Sequence, residues 1–374
     1  MKIIIVCYPT FGGSGVVATE LGLELAKKGH EIHFVTYSQP VRLDLLIANV
    51  FFHEVNVPEY PLFHYQPYEL ALSSKVVAIV KKHNIDVLHV HYAIPHAYAG
   101  YMAKQMLKDT GINLPMVTTL HGTDITLVGN HPNYKEAVTF SINHSDAVTS
   151  VSESLKKDTI NLFSIKKEIQ VIPNFINLDH LDKEKNYPCL RSSICNPGEK
   201  IITHISNFRK VKRIDDVVKI FHLINQKIPS KLLMVGDGPE KINAEKLCKE
   251  LNIKSQVIFF GNSNEINNIL CQSDLFLLPS ETESFGLAAL EAMAHGVPVI
   301  STNAGGLSEV NIQGISGYLS NIGNVKEMAQ NAILILEDEE NLNKFKKNAL
   351  EVAQKFNVHK IVPIYEKLYQ SLIC

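Results

Sequence analysis

The chain alternates β-branched runs with amphipathic helical segments, in two series separated by an irregular stretch, and this restricts it to parallel sheets covered by helices. Residues 2–7 (KIIIVC) read as a strand buried on both faces. A glycine turn follows, then a helix through about Lys28 that Gly29 stops. Strands are expected at His33–Tyr37, Val87–His91, Pro115–Leu120 and Ala147–Val151, and helices at 69–83, 97–108, 135–144 and 152–161. The pattern breaks over residues 171–200, which carry three prolines and mixed charges. A second series starts at Lys200, with strands expected at 201–206, 231–235, 256–260, 274–278 and 297–300. Helices at about 325–337, 340–355 and 358–372 have no strand after them.

Two doubly wound α/β domains follow from this reading, facing each other across a cleft, since such sheets bind ligands beyond the carboxyl ends of their strands. The length of 374 residues also exceeds one ordinary core. The expected division is 1–172, 173–355 and a C-terminal helix at 356–374 that packs back toward the N-terminal domain, with the hinge near Ile172–Asp179.

Composition excludes some partners. The formal net charge of −2 gives no global field for nucleic acid. No run reaches the roughly 18 apolar residues that span a bilayer, and the first residues lack the features of a secretory signal. The expected setting is cytoplasmic, without stable membrane association; homo-oligomerisation is left open. Six cysteines (Cys7, Cys189, Cys195, Cys248, Cys271, Cys374) are scattered without a C-x-x-C pair, which fits reduced thiols better than zinc or a disulfide framework. Cys7 lies beside a glycine loop, as a catalytic thiol or as a small buried residue.

Three constellations carry chemistry. In Thr10-Phe11-Gly12-Gly13-Ser14-Gly15, between strand and helix, the backbone can approach a ligand and free amides attract an anion. A tight packing turn is the other reading. The spacing is not G-x-G-x-x-G, and Tyr37-Ser38-Gln39 stands where a dinucleotide site needs an acid, so an NAD(P)-linked oxidoreductase is disfavoured. In Ser206-Asn207-Phe208-Arg209-Lys210-Val211-Lys212-Arg213 four cations sit just after a strand, either as a solvated face or, through Arg209 and Lys212, as a diphosphate site. In Pro279–Leu287 a helix opens: Glu283 precedes it, Glu291 lies in its third turn, and amides around Phe285, Gly286 and Leu287 offer an anion pocket. Glu291 is flanked by Ala289, Leu290, Ala292 and Met293, so its carboxylate needs a ribose diol or a buried ion pair. On the other series, His89, His91-Tyr92 and Thr118-Thr119-Leu120-His121-Gly122-Thr123-Asp124 stand at strand ends; no spacing there specifies a metal.

Glu283–Glu291 matches the E-x7-E signature of the retaining glycosyltransferases of family four, which have the GT-B fold. Gly12–Gly15, His121 in H-G-T-D, Lys212, Gly236-Asp237-Gly238-Pro239 and Gly305-Gly306 fall in that family's order, and the resemblance covers essentially the whole chain. The strings CYPTFGGSGVVATELG, HYAIPHA, TTLHGTDIT, SNFRKVKR and ESFGLAALEAMA resemble its malate-accepting subgroup, whose reaction starts bacillithiol biosynthesis. Many family members have Arg where Asn207 stands, and the subgroup shares the replacement.

The resemblance implies transfer of N-acetylglucosamine from UDP-GlcNAc to the hydroxyl of L-malate with retention, without cofactor or metal. It places Glu291 on the ribose, Glu283 on the sugar hydroxyls, and Arg209 and Lys212 on the diphosphate with amides at Gly13 and around Gly286. His121 is expected near C6 of the sugar. Ser14, Tyr92, Thr119 and Asn207 are the acceptor-side candidates. A related transferase with a lipid or polysaccharide acceptor is the alternative. The helix near 15–28 argues against a lipid acceptor, since its only cations are Lys27 and Lys28.

Overall fold

A computed structural model describes residues 1–10, 12–179, 191–263 and 265–373; Phe11, Cys189 and Cys374 lie outside the described residues. The chain forms two compact units, Met1–Phe175 with Val358–Cys374, and Ile176–Asn357.

The first unit carries a seven-stranded sheet in the order β3-β2-β1-β4-β5-β6-β7. Its strands are β1 (Lys2–Val6), β2 (Glu31–Thr36), β3 (Val50–Glu54), β4 (Val87–His91), β5 (Met116–Leu120), β6 (Ala147–Ser150) and β7 (Ile169–Val171). Every neighbouring pair is parallel. The crossovers are α1 (Gly13–Lys27), α2 (Tyr68–His83), α3 (Tyr98–Lys108), α4 (Pro132–Asn143) and α5 (Glu153–Leu162). Because helices cover both faces, Ile3, Ile4, Ile5 and Val6 are all buried, which is why β1 is an unbroken apolar run.

The second unit has a six-stranded sheet in the order β10-β9-β8-β11-β12-β13. It is parallel throughout, with β8 (Lys200–Ile205), β9 (Ser230–Val235), β10 (Val257–Gly261), β11 (Leu275–Leu278), β12 (Val299–Thr302) and β13 (Gly317–Ser320). Its longer helices are α6 (Ile214–Asn225), α7 (Lys241–Glu250), α8 (Leu287–Ala294), α9 (Val325–Leu336) and α10 (Glu339–Ala353). In each sheet the strand order reverses once, between β1 and β4 and between β8 and β11. Three strands, β3, β7 and β13, go beyond the sequence expectation. Among the described residues no helix is long and apolar enough to cross a membrane.

The last helix, α11 (Val358–Ile373), belongs to the first unit. Val358, Ile361, Val362, Tyr365 and Tyr369 form its buried stripe at helical spacing. Tyr369 Oη is hydrogen-bonded to His89 Nδ1 at 2.7 Å, and Glu366 pairs with Lys28 and with His30 Nε2 at 2.9 Å. Replacing Tyr369 by Phe strands a buried ring nitrogen, and should cost the first unit about 1–3 kcal/mol in urea unfolding.

Histidines are part of both cores. Burial pushes His89 and His121 down to about 3, and His96 and His204 down to about 4. They stay neutral in the fold, whereas in the unfolded chain each takes a proton below about pH 6.5. Stability is therefore fully present above about pH 6.5 and falls as pH drops toward 4, by up to about 1.4 kcal/mol per pH unit for each histidine. Denaturation midpoints that stay constant between about pH 7 and about pH 5 would contradict this.

Candidate active site

At the β8/β11 reversal of the second unit, two segments converge. The strand β8 hands the chain to Ser206–Arg213, and β11 hands it to Pro279–Glu283. His204 ties the two: its Nδ1–H donates to the Leu277 carbonyl at 2.8 Å, so its bare Nε2 accepts from Ser206 Oγ at 2.8 Å. The Glu281 amide donates to the Val211 carbonyl at 2.8 Å, stitching the loops together. On this frame Lys212 Nζ forms an ion pair with Glu283 Oε1, which also accepts from Ser280 Oγ at 3.0 Å. Arg209 is exposed, and no ion pair holds it among the described residues. Lys212 and Glu283 keep side-chain exposures of only 20% and 13%, so their charges act in a partly dry setting.

Two glycines let the surrounding loops close. A Cβ on Gly236, at φ 121°, would stand 1.8 Å from the Ser206 carbonyl oxygen, and one on Gly305, at φ 55°, would stand 2.0 Å from that of Glu283. The Gly306 amide donates to the Glu283 carbonyl at 2.9 Å. Helix α8 opens at Gly286, with φ 96°, no side-chain cap and no acid in its first turn, which leaves positive amide charge at its start. Phe285 is buried beneath it. Glu291 is half-buried in the second turn of α8 rather than the expected third, and its carbonyl accepts from His295 Nδ1–H at 2.9 Å.

At the β1/β4 reversal of the first unit, α1 starts at the Gly12 cap, again without a side-chain cap or first-turn acid; Gly13 is exposed. Ser14 Oγ and Tyr92 Oη are hydrogen-bonded at 2.7 Å. Tyr92 has φ 86° and ψ 135°, a backbone conformation costly for an aromatic residue and typical of sites that aim a side chain. Its ring lies 5.2 Å from that of His121, whose Nε2 meets His91 Nδ1 at 2.8 Å. The buried Asp124 carboxylate organises this corner by accepting from the amides of Ala93 (2.8 Å), Gly122 (2.9 Å) and His121 (3.2 Å). Burial raises its pKa while the amides oppose the rise.

The structure corrects several expectations. Thr119 does not face a ligand: it is 1% exposed, and its hydroxyl is held between His89 Nε2 and Thr149 Oγ1, both at 2.7 Å. Both nitrogens of His89 are thereby used, so it lines no surface either. Cys7 is a packing residue, its thiol pushed up to about 12 by burial. Asn207 is exposed in the second unit, while Ser14, Tyr92 and His121 belong to the first. His204 is a framework residue that sequence reasoning missed. Asp124 in H-G-T-D and Ser280 in Pro279–Leu287 lay in segments already singled out, but their framework roles were not read there.

Comparison with known proteins agrees with this architecture. Residues 11–180 match the family model for Glycosyltransferase Family 4, and residues 191–352 that for glycosyl transferases group 1. The N-acetyl-alpha-D-glucosaminyl L-malate synthase of Bacillus anthracis is 47% identical over 374 residues, covering 100% of this chain and 97% of the relative. A 2-deoxystreptamine N-acetyl-D-glucosaminyltransferase of Niallia circulans is 27% identical over 78% of this chain and 77% of its own. Among solved structures, Anabaena HepE in complex with UDP and glucose superposes with a TM-score of 0.80 at 20% identity, with 100% of both chains covered. Sucrose-phosphate synthase from Thermosynechococcus elongatus gives 0.80 at 20% identity, over 99% of this chain and 98% of that one. With two parallel Rossmann-like halves, full-length identity to such a synthase and both family models matched, the chain belongs to the family-four glycosyltransferases of the GT-B fold and is an enzyme.

Proposed function

We infer that the enzyme transfers N-acetylglucosamine from UDP-GlcNAc to the hydroxyl of L-malate, with retention at the sugar carbon. The acceptor rests on the full-length likeness to a synthase of that product. The donor reading is carried by one observation, the Lys212–Glu283 pair set beside the exposed Arg209 and the uncapped start of α8. Diphosphate arriving there meets two cations and a helix N-terminus, and its charge competes with Glu283 for Lys212. Glu283 is then free to take sugar hydroxyls, while Glu291 holds the ribose diol from an otherwise apolar helix.

The chemistry needs little else. The malate hydroxyl oxygen attacks the sugar carbon on the face from which UDP departs; the bond from that carbon to the phosphate oxygen breaks, and the departing phosphate takes the hydroxyl proton. Catalysis is then positioning plus stabilisation of the charge on the diphosphate, with Arg209, Lys212 and the amides near Gly286 and Gly13 in that role. His121 is neutral, so it contacts the sugar as a hydrogen-bonding ring rather than as a cation. Ser14, Tyr92 and Asn207 receive malate. Both substrates are small and water-soluble, which supports a cytoplasmic setting.

UDP release from UDP-GlcNAc should rise sharply with L-malate and persist in excess EDTA. Stimulation only by another acceptor would overturn the malate reading and keep the family; strict dependence on a divalent ion would overturn the metal-free reading. Separately, Arg209→Ala and Lys212→Ala should each lower kcat/KM by about 10²–10³-fold, the scale of lost electrostatic donors. Glu291→Gln should act mainly on KM for UDP-GlcNAc, by about tenfold. Steady-state kinetics with both substrates varied distinguishes these outcomes.

A further inference from the structure

Away from the β1/β4 reversal, the opposite side of the first sheet gathers imidazoles that the transfer reaction does not use. In a parallel sheet, residues two apart share a face, and His33 on β2 is in register with Phe51 on β3. Glu31, His33, Phe51 and His53 therefore stand on one face, and the C-terminal end of α2 brings His83 over them. Ligand nitrogens of His33, His53 and His83 all lie within 4.8 Å of one another. The rings are ordered: His33 is stacked on Phe51 at 4.9 Å and on His53 at 5.1 Å, and His83 is tilted 4.5 Å from His33.

Two details point to a ligand. His83 Nε2 is buried without a hydrogen-bond partner among the described residues, which leaves that nitrogen open to a ligand. Moreover, His33 Nε2 is bonded to Glu31 Oε1 at 2.9 Å, while its Nδ1 faces His53 Nε2 at 2.8 Å. A carboxylate behind one imidazole nitrogen, with the other nitrogen turned toward further imidazoles, is the outer-shell arrangement of histidine metal sites.

We propose that His33, His53 and His83 bind one divalent transition-metal ion of the zinc class, with Glu31 orienting His33. Tetrahedral zinc–nitrogen bonds of about 2.0–2.1 Å separate ligand nitrogens by about 3.4 Å, so the 2.8 Å pair opens slightly and His83 closes in. All-imidazole donors favour zinc, copper or nickel over magnesium or calcium. The Glu31 carboxylate offsets the positive charge of Lys75 and Lys82, which act on His53. The ion acts structurally, clipping the edge strand β3 and the end of α2 to β2. It is separate from the reaction, so chelation lowers the melting temperature while UDP release per folded molecule is retained.

The test uses untagged full-length protein stripped with chelator, then titrated with zinc chloride by calorimetry and with Co²⁺ by visible absorption. One equivalent should bind, with the intense visible bands of a tetrahedral site and a higher Tm. His53→Gln and His83→Gln should abolish that equivalent and the Tm rise while UDP release stays at the wild-type level, which also shows that both fold. Glu31→Gln should weaken binding about 10–100-fold. Absence of stoichiometric binding to wild type, or binding that survives in both histidine variants, would overturn the proposal.

Discussion

Everything chemical in this enzyme depends on where a parallel sheet reverses its strand order. Strands buried on both faces are covered by crossover helices, the β2–β3 connection alone lacking one in the first sheet, and helices on either side of the reversal diverge. The gap they leave lies at the carboxyl ends of two central strands. Chain leaving β1 and β4, or β8 and β11, meets backbone amides with no strand partner there. The residues proposed to meet the substrates stand in these loops: Gly13 and Ser14 with Tyr92 and His121 in one unit, and Arg209 and Lys212 with Glu283 in the other. The same topology thus gathers a cluster of strand-end loops in each unit by one physical rule.

What differs between them is how the loops are held. In the second unit the framework is His204, whose single proton is committed to the Leu277 carbonyl, and glycines that let neighbouring loops touch carbonyl oxygens closely. In the first unit it is a polar core. Asp124 gathers three amides, and His89, His91, His96 and His121 form a contiguous set of imidazoles that burial keeps uncharged. Such groups are costly to bury unless bonded, and their bonds fix geometry in return. The strained backbone of Tyr92 is sustained by that surrounding structure, and it brings the phenol against Ser14.

Legibility in the sequence followed the strength of each local signal. β1, β4 and β8 were readable because burial on both faces leaves their β-branched residues without a regular polar alternation. Three of the four edge strands were not: β3 ends in His53 and Glu54, β7 has three residues within a charged segment, and β13 starts with glycine. Edge strands have one paired side and partial burial, so their composition resembles a loop. In the second unit, Arg209, Lys212 and Glu283 were legible as charged residues of strand-end loops, whereas the pairing of Lys212 with Glu283 was not. Thr119 misled because its position at the end of β5 looks the same whether the hydroxyl points at ligand or at His89; in a strand, one residue of offset reverses the face.

The sequence by itself determined the two α/β series, the places where the glycine-rich and charged strand-end loops stand, and the family, since these are properties of local pattern and spacing along the chain. Only the tertiary structure decided that α11 completes the first unit, that Lys212 is paired with Glu283, that Thr119 and Cys7 are interior, and that His33, His53 and His83 meet. Each of these joins residues from 20 to more than 300 positions apart, or depends on which side of a strand faces the core. Strand register and helix packing set such contacts, and no local window of the sequence carries that information.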